Sequence, residues 1–250
     1  MLTKAQVKDI RSLAEHKYRK ELQSYTVEGD KMSREWLNSA SNIKEIFALT
    51  GWADQHKELI NRHPEADLHL IEQHDLERIS TLQTPNSALL VVPIPATQPA
   101  FPGNEWCIAL DKLQDPGNMG TIIRIADWYG IRHVVASPES VDFYNPKVLQ
   151  SAMGGHLRVH LHTASLPSFL EKLDIPVLAA VLDGQSIYTL PKPAAAVLLI
   201  GNESKGLSEE TLRLATEKIL IPRLGGAESL NAAVATGIIC AVCMPQPGNV

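Results

Sequence analysis

The sequence predicts an α/β protein of two domains, on three observations. Short apolar runs suited to buried strands alternate with helical stretches along the whole chain. The length of 250 residues lies between one and two domains of about 150 residues each. A proline-rich segment, Val92–Gly103, separates the two halves. Apolar residues make up 44% and charged residues 20%, a composition typical of a protein with a core and not of a disordered chain.

The domain boundary is predicted at residues 93–103. Four prolines, at positions 93, 95, 99 and 102, fix φ and remove backbone donors, so neither a helix nor a central strand can run through this region. We therefore expect a linker at 93–103 between a first domain of residues 1–92 and a second domain of residues 104–250.

The first domain is expected to be a small α/β sandwich. Thr3 and Gln6 fit a capping box that begins an amphipathic helix. The other predicted elements, in chain order, are a strand and turn at Tyr25–Gly29, a helix at Lys31–Ala40, a strand at Glu45–Leu49, a helix at Ala53–Asn61, a strand at Leu68–Ile71, a helix at Asp75–Leu82 and a strand at Ala88–Val92.

The second domain is expected to contain a buried parallel sheet. Its predicted strands are Trp106–Leu110, His133–Ala136, Val177–Val181, Val197–Ile200 and Ile219–Ile221. Its predicted helices are Gly117–Tyr129, Leu166–Lys172, Ser208–Ala215 and Asn231–Cys243. The last helix is apolar on nearly every side, which favours a position in the core or in a subunit interface.

Net charge and cysteine count exclude several classes of protein. The 23 basic and 28 acidic residues give −5, which excludes binding of nucleic acid by bulk charge but leaves a local patch possible. Three cysteines form no disulfide framework, so we expect a reducing, cytoplasmic environment. No apolar run reaches the roughly 18 residues of a membrane helix, and the first residues lack the apolar core of a secretory signal.

Positive charge is concentrated at the start of the chain. Residues 1–20 hold six basic side chains and two acidic ones. Taken alone, this pattern fits the solvated face of an amphipathic helix. The alternative is an arm that faces phosphates, with Lys17, Arg19 and Lys20 as the candidate contacts.

The first of three segments with possible chemistry is the turn Asp115–Asn118, which follows a strand and opens a helix. Asn118 is placed to cap this helix, and Arg124 lies about one and a half turns into it. Polar loops at the carboxyl ends of parallel strands hold ligands in α/β folds. Taken alone, however, the segment is explained by a capped helix with a surface arginine.

The second segment lies between Gly201 and Gly206, directly after a buried strand. The two glycines let backbone amides approach a ligand closely. No Lys-Ser/Thr pair follows the second glycine at the required spacing, which excludes a P-loop. An ordinary strand-to-helix turn explains Gly201, but not Glu203 beside Lys205.

The third segment joins the strand that ends at Pro222 to the last helix. Ser229 is the predicted cap, which places Asn231 inside the first turn, where alanine is the better helix former. A polar residue chosen against helix propensity indicates a function for Asn231.

Together, the three segments resemble motifs one, two and three of the SpoU class of the SPOUT methyltransferases, in the same order. The matching positions are Asn118-x-Gly120-x-x-x-Arg124, Gly201-x-Glu203-x-x-Gly206, and Ile221-Pro222 with Ser229-Leu230-Asn231. Residues 1–92 resemble the ribosomal-protein-like RNA-binding domain that often precedes this catalytic domain, on the basis of Val27-Glu-Gly29 before a helix. The sequence departs from the common pattern at Ala232-Ala233, where Val-Ser is usual, and in the charges of Arg223 and Glu228, which bears on substrate choice.

The resemblance implies an α/β domain with a trefoil knot near its C-terminus and a homodimeric enzyme. It also implies transfer of a methyl group from S-adenosylmethionine to a ribose 2′-hydroxyl of RNA, with rRNA preferred over tRNA. The residues that it assigns to the methyl donor are Leu182, Gly201, Ile221 and Leu230. The residues that it assigns to the polar catalytic positions are Arg124, Glu203, Ser229 and Asn231, with Asn118 in support. Lys17, Arg19 and Lys20 then become candidate RNA contacts.

Two other functions remain open at this point. A base methyltransferase of the same superfamily is disfavoured by the motif with Asn118 and Arg124. A non-catalytic RNA-binding module is disfavoured because Arg124, Glu203 and Asn231 are all present. Measurement of methyl incorporation into RNA would separate these alternatives.

No metal site is expected. Cys240 and Cys243 are spaced like a metal or redox pair, but they lie in an apolar helix without partner ligands, which favours core packing. His156, His160 and His162 have no neighbouring carboxylate in the sequence, so we interpret them as strand and loop residues.

Overall fold

The structure is a computed structural model that describes residues 2–96 and 103–245. The chain divides into two compact units. Unit 1 comprises Met1–Ala96 and Tyr144–Leu157, and unit 2 comprises Thr97–Phe143 and Arg158–Val250. Residues 144–157 therefore group with unit 1, although the predicted boundary places them in the second domain. Most of the predicted linker, residues 97–102, lies outside the described residues.

The elements of residues 2–96 agree in kind with the predicted ones, with two exceptions: the basic N-terminal stretch forms two helices, and the helix predicted at Ala53–Asn61 is divided into two. In chain order they are α1 (Lys4–Ser12), α2 (His16–Leu22), β1 (Ser24–Glu28), α3 (Asp30–Leu37), β2 (Glu45–Leu49), α4 (Thr50–Gln55), α5 (Lys57–Ile60), β3 (Asp67–Ile71), α6 (Gln73–Ile79) and β4 (Ala88–Pro93). The capping box of Thr3 and Gln6 is present at the start of α1.

Residues 103–245 contain one strand and one helix that the sequence did not predict, β7 and α8. In chain order the elements are β5 (Cys107–Leu110), α7 (Pro116–Trp128), β6 (His133–Ala136), α8 (Pro146–Ala152), β7 (His160–Thr163), α9 (Leu166–Leu170), β8 (Val177–Ser186), β9 (Val197–Ile200), α10 (Glu209–Leu212), β10 (Glu217–Leu220) and α11 (Ala232–Cys243).

Unit 1 is built around a four-stranded sheet in the order β1-β4-β2-β3. β2 pairs with β3 in parallel, and the other two pairs are antiparallel. Helices cover both faces of this sheet. Alternate residues of β2 point to opposite faces, so neighbouring residues of β2 pack in different core clusters. Ile46 lies in a core cluster with Trp36 of α3, whereas Phe47 lies in a second cluster with Ile10 of α1 and Leu76 of α6.

The segment Tyr144–Leu157 completes one of these core clusters. Leu149 of α8 is buried together with Tyr25 of β1, and the ring of Tyr144 lies 4.7 Å from the ring of Tyr25. Sequence reasoning missed α8 because its seven residues are too few to show a helical period.

Unit 2 is built around a six-stranded, wholly parallel sheet in the order β10-β8-β9-β5-β6-β7. The central strands β5 and β9 are fully buried. β7 is an edge strand with two histidines and a mixed burial pattern, so it lacks the apolar run by which a buried strand is predicted. Because all strands are parallel, the loops at their carboxyl ends lie at one edge of the sheet.

The predicted α/β class, with a parallel sheet preceded by a smaller α/β unit, is therefore confirmed. The trefoil knot remains a prediction from the resemblance. Among the described residues, no helix has the length and apolar character needed to cross a membrane.

Candidate active site

The first motif lies where β5 leads into α7. Asp115 is the N-cap of α7, and its carboxylate accepts a hydrogen bond from the backbone N of Asn118 at 2.7 Å. The prediction that Asn118 caps this helix is therefore wrong. Because Asp115 fulfils that role, the side chain of Asn118 is available for contacts outside the helix, and Asn118 is only 8% exposed.

The second motif contacts the first through Glu203. The Glu203 carboxylate accepts hydrogen bonds from the backbone N of Gln114 at 3.4 Å, from the backbone N of Asp115 at 3.2 Å, and from Nδ2 of Asn118 at 3.1 Å. An anion beside the first residues of a helix is also stabilised by the helix dipole. Glu203 thus fastens the loop after β9 to the start of α7.

The third motif contacts the first through Asn231. Asn231 is the N-cap of α11, and its Oδ1 accepts hydrogen bonds from the backbone N of Ala233 at 2.9 Å and of Val234 at 3.2 Å. Its Nδ2 donates to Oδ1 of Asn118 at 2.7 Å. The prediction that Ser229 caps the helix and that Asn231 lies inside the first turn is wrong.

A single chain of hydrogen bonds therefore joins all three motifs. Asn231 donates to Asn118, and Asn118 donates to Glu203. Each amide uses its oxygen as acceptor and its nitrogen as donor, so the chain has one consistent direction. Residues up to 113 positions apart in sequence are held together in this way.

The loop of the second motif folds back tightly on itself. Asn202 and Gly206 exchange two backbone hydrogen bonds of 3.0 and 2.9 Å, and Gly206 has a φ of +70°. A Cβ on Gly201 would lie 2.5 Å from the backbone N of Leu207 and 2.7 Å from the carbonyl oxygen of Gly206. Gly201 is therefore required by the close approach of backbone within this loop.

Arg124 and Ser229 stand apart from the hydrogen-bonded chain. Both are exposed, and neither side chain makes a hydrogen bond or an ion pair with another described residue. Glu203 therefore holds the loop and does not orient Arg124. An exposed guanidinium without an internal partner remains free to bind an external anion.

Of the residues assigned to the methyl donor, one lies on β8 and the other three lie in the loops that follow β9 and β10, two strands that flank β8 in the sheet. Leu182 is 79% exposed on β8, where the pairing with β10 shifts register, and Leu230 is 49% exposed in the loop after β10. Ile221 is half-buried just after β10, and Gly201 directly follows β9. An exposed leucine within β8 and another in the loop after β10 provide apolar surface of the kind that a purine ring needs.

Sequence reasoning missed two residues that support this site. Asp111, which is 2% exposed, accepts hydrogen bonds from the backbone N of Ser208 at 2.7 Å and from the hydroxyl of Thr211 at 2.6 Å. Asn202 donates to the carbonyl oxygen of Lys112 at 2.8 Å. Both tie the loop after β9 to the loop after β5. The position of Asp111 directly after an apolar strand is a signal that could have identified it.

The three candidate RNA contacts lie in α2, and the structure separates them. Lys17 and Lys20 are exposed. Arg19 is 1% exposed, and its Nη1 donates to the carbonyl oxygen of Leu13 at 2.7 Å. A guanidinium buried in this way cannot face a phosphate, so the prediction for Arg19 is wrong.

The remaining cysteines and histidines have structural positions. Cys240 and Cys243 are buried in α11, and burial raises the pKa of Cys240 to about 12. His162 packs beside His133, with their ring nitrogens 3.1 Å apart. Burial, and then the neighbouring His162 and His160, lower the pKa of His133. Within the described residues, no cluster of three or more ligands could hold a metal ion.

Both parts of the chain match known protein families. Residues 105–241 match the SpoU rRNA Methylase family, and residues 4–89 match the MRM3-like substrate binding domain. The Bacillus subtilis 23S rRNA (guanosine(2553)-2′-O)-methyltransferase RlmP is 28% identical over 237 residues, which are 93% of this chain and 93% of the relative.

Two solved structures resemble the whole chain. A Porphyromonas gingivalis protein described as a member of the TrmH family of RNA methyltransferases is 36% identical, with a TM-score of 0.86 and 98% of each chain covered. An AdoMet-bound rRNA methyltransferase from Sinorhizobium meliloti is 30% identical, with a TM-score of 0.87 and 97% and 95% of the two chains covered. The matched residues include all three motifs and the side chains that join them, and the chain belongs to the SpoU rRNA methylase family.

Proposed function

We propose that this protein transfers a methyl group from S-adenosylmethionine to a ribose 2′-hydroxyl of RNA, with rRNA as the expected substrate. The observation that carries the proposal is the hydrogen-bonded chain from Glu203 through Asn118 to Asn231, which joins the three motifs at the carboxyl edge of the parallel sheet. The relatives named above include a 23S rRNA 2′-O-methyltransferase, which supports the same reaction and substrate.

S-adenosylmethionine supplies a methyl group that its sulfonium already activates. Leu182, Gly201, Ile221 and Leu230 would hold it. The fit rests on the exposed leucines of β8 and of the loop after β10, and on the tight glycine turn after β9. As the ribose oxygen takes the methyl group from the sulfonium, the bond between sulfur and methyl carbon breaks and the hydroxyl proton is released. The tasks left to the protein are to align the ribose oxygen, to allow its proton to leave and to exclude competing nucleophiles.

Arg124 is assigned to the RNA. A guanidinium carries its proton at physiological pH and offers a planar set of donors, so it suits a bidentate contact to a phosphate better than removal of a proton. Such a contact fixes the adjacent ribose. Alignment of this kind can lower the barrier by up to about 7–11 kcal/mol.

Glu203, Asn118 and Asn231 are positioning residues in this proposal, and Ser229 is the contact to ribose or methyl donor. Asn231 uses one donor and both acceptor positions within the protein, and Asn118 uses one of each, so both amides are held by other residues of the site. The hydroxyl of Ser229 is exposed and unengaged within the described residues. Ser229 lies two residues before the N-cap of α11, so the position of α11 determines where this hydroxyl lies.

Unit 1 is proposed as the part that binds RNA, and the cytoplasm is proposed as the location of the protein.

A homodimer is proposed as the working form. α7 and α11 pack against each other, with Gly237 of α11 next to Ile125 of α7. On these helices Trp128 is 84% exposed and Val234 is 51% exposed. Apolar side chains at such exposure are unfavourable on a monomer and favour an isologous contact between two copies. Light scattering at micromolar concentration measures this, and a stable 27.4 kDa particle would contradict it.

The site of methylation can be tested through the chemistry of RNA. Alkali cleaves RNA by attack of the free 2′-hydroxyl on the neighbouring phosphate, so a methylated ribose blocks cleavage at that linkage. RNA labelled by the enzyme with radioactive methyl donor should yield label in alkali-resistant dinucleotides. Label in mononucleotides would show that a base is methylated, and absence of label would favour a non-catalytic RNA-binding protein.

An RNA with a single modified ribose provides the control. Once the methylated nucleotide is mapped, an oligonucleotide with a 2′-deoxyribose at that position should accept no methyl group. It should still compete for binding, because its phosphates are unchanged. Methyl transfer to the deoxy substrate would refute the ribose assignment.

A further inference from the structure

Charge in the first 96 residues is divided sharply between two parts of the chain. Residues 1–20 carry six basic and two acidic side chains, a balance of +4, whereas residues 21–96 carry six basic and twelve acidic side chains, a balance of −6. Since residues 21–96 carry a net negative charge, an extended polyanion would be attracted to the N-terminal helices in preference to the rest of the first 96 residues.

Helix α1 arranges part of this positive charge in a line. Lys4, Lys8 and Arg11 are all exposed. At 3.6 residues per turn they fall within an arc of about 60° and extend over about 10 Å of helix. Ile10 points to the opposite side and is 4% exposed in a core cluster with Leu76 of α6. Packing of the apolar face thus orients the basic face outward.

These cations have no counterions among residues 2–96 and 103–245. The side chains of Lys4, Lys8 and Arg11 make no ion pair or hydrogen bond with any described residue. Of the six basic side chains in residues 21–96, four are engaged: Arg34 pairs with Asp30, Arg78 pairs with Asp75, Arg62 bonds to Asn38 and Lys44 bonds to Ser24. The basic side chains of α1 are therefore available to an external anion.

We propose that the face of α1 formed by Lys4, Lys8 and Arg11, which we name the α1 stripe, binds the phosphate backbone of the RNA substrate. The inference rests on the proposed function and extends it to residues that the sequence motifs leave unassigned. Exposed Lys17 and Lys20 of α2 add positive charge close by in sequence, whereas Arg19 does not contribute because it is buried.

The geometry favours phosphate contact over base recognition. Lysine and arginine side chains on one helix face supply charge without a shaped pocket, and such contacts position a nucleic acid without reading its sequence. Their expected signature is a strong dependence of affinity on salt, with a log–log slope of about 0.7 per contact for single strands and 0.9 for duplexes.

The test compares two triple variants with the same change in charge. The first neutralises the stripe with Lys4→Gln, Lys8→Gln and Arg11→Gln. The second, which serves as the control, neutralises exposed cations elsewhere in unit 1 with Lys31→Gln, Lys57→Gln and Lys147→Gln. Affinity for a labelled single-stranded RNA oligonucleotide of mixed sequence is measured by anisotropy between 50 and 200 mM salt.

In the stripe variant, the slope of log affinity against log salt should be smaller by about two to three. Raising the salt from 50 to 200 mM should therefore weaken RNA binding by a factor that is about 15 to 60 times smaller than in the unmodified protein. The control variant should keep the full slope. At saturating RNA, turnover and donor affinity should be unchanged in both, because unit 1 holds none of the proposed catalytic residues. The single variant Arg11→Lys, which keeps the positive charge, should retain the full slope.

Two different failures can be told apart. If the unmodified protein binds RNA with a steep salt slope and the stripe variant has the same slope, the α1 stripe does not bind RNA. That result would favour an acidic protein as the partner of the stripe. An unmodified protein that neither binds nor methylates RNA refutes the proposed function itself. An equal loss of slope in both variants would show that RNA is attracted by the overall charge of the protein, and would also refute a specific role of the α1 stripe.

Discussion

Gly201 offers the most direct test of how the loop after β9 holds the methyl donor. In Gly201→Ala, the new Cβ would lie 2.5 Å from the backbone N of Leu207 and 2.7 Å from the carbonyl oxygen of Gly206. These are backbone atoms of the same tight turn, so relief requires the loop to open. Overpacking of this kind costs about 1–3 kcal/mol, which corresponds to a fall of about 2–12 °C in the melting temperature.

The same displacement should weaken donor binding. A loss of about 1.4 kcal/mol of loop organisation corresponds to a tenfold higher Kd for S-adenosylmethionine. Thermal denaturation and calorimetric titration of the donor measure the two effects. Gly225→Ala and Gly226→Ala are matched controls, because a Cβ at either position meets nothing within 4 Å and neither has a positive φ. If Gly201→Ala matches these controls in melting temperature and donor Kd, the close approach has no consequence and the assignment of Gly201 fails.

Three further outcomes are expected. Arg124→Ala should bind S-adenosylmethionine with unchanged affinity by calorimetry and lose turnover at least about a hundredfold; lost donor binding would contradict its assignment to RNA. Thr211→Val removes one of the donors to the buried carboxylate of Asp111, so the free energy of unfolding measured in urea should fall by about 1–3 kcal/mol. An unchanged urea midpoint would show that the burial of Asp111 does not depend on the Thr211 hydroxyl. The pKa of His133 lies below its ordinary value of 6.5, so near this pH the unfolded chain binds a proton that the folded protein does not. The free energy of unfolding should therefore fall as the pH drops below about 6.5. His133→Gln should weaken this pH dependence, and an unchanged dependence would show that another group causes it.

The three motifs could be found from sequence because each follows a buried strand, and two of their residues also lie where local structure does not call for them. Asn231 was singled out as a polar residue in a helix-favouring position, and Glu203 as a charge that a simple turn does not require. The reason for each was not available from sequence. Asn231 caps α11 and also donates to Asn118, which lies 113 positions away, and Glu203 accepts from the start of α7, which lies 85 to 89 positions away.

The errors share a physical cause. Local rules placed the helix caps at Asn118 and Ser229, but Asp115 and Asn231 fulfil that role. Several residues near a helix start can cap it, and tertiary contacts select among them. The burial of Arg19 likewise depends on a carbonyl oxygen six residues earlier, in the turn between α1 and α2. Residue type alone did not distinguish Arg19 from the exposed lysines on either side.

The sequence by itself determined the alternation of strands and helices, the α/β class, the three motifs and the family that they resemble, because these depend on local periodicity and on residue types at short spacing. Only the tertiary structure decided that residues 144–157 pack with unit 1, that Asp111 secures the loop after β9, and that Asn118 joins Glu203 to Asn231. The physical reason is that each of these contacts depends on the position of a buried group relative to a distant segment, and the parallel sheet creates that proximity by bringing the carboxyl ends of its strands to one edge.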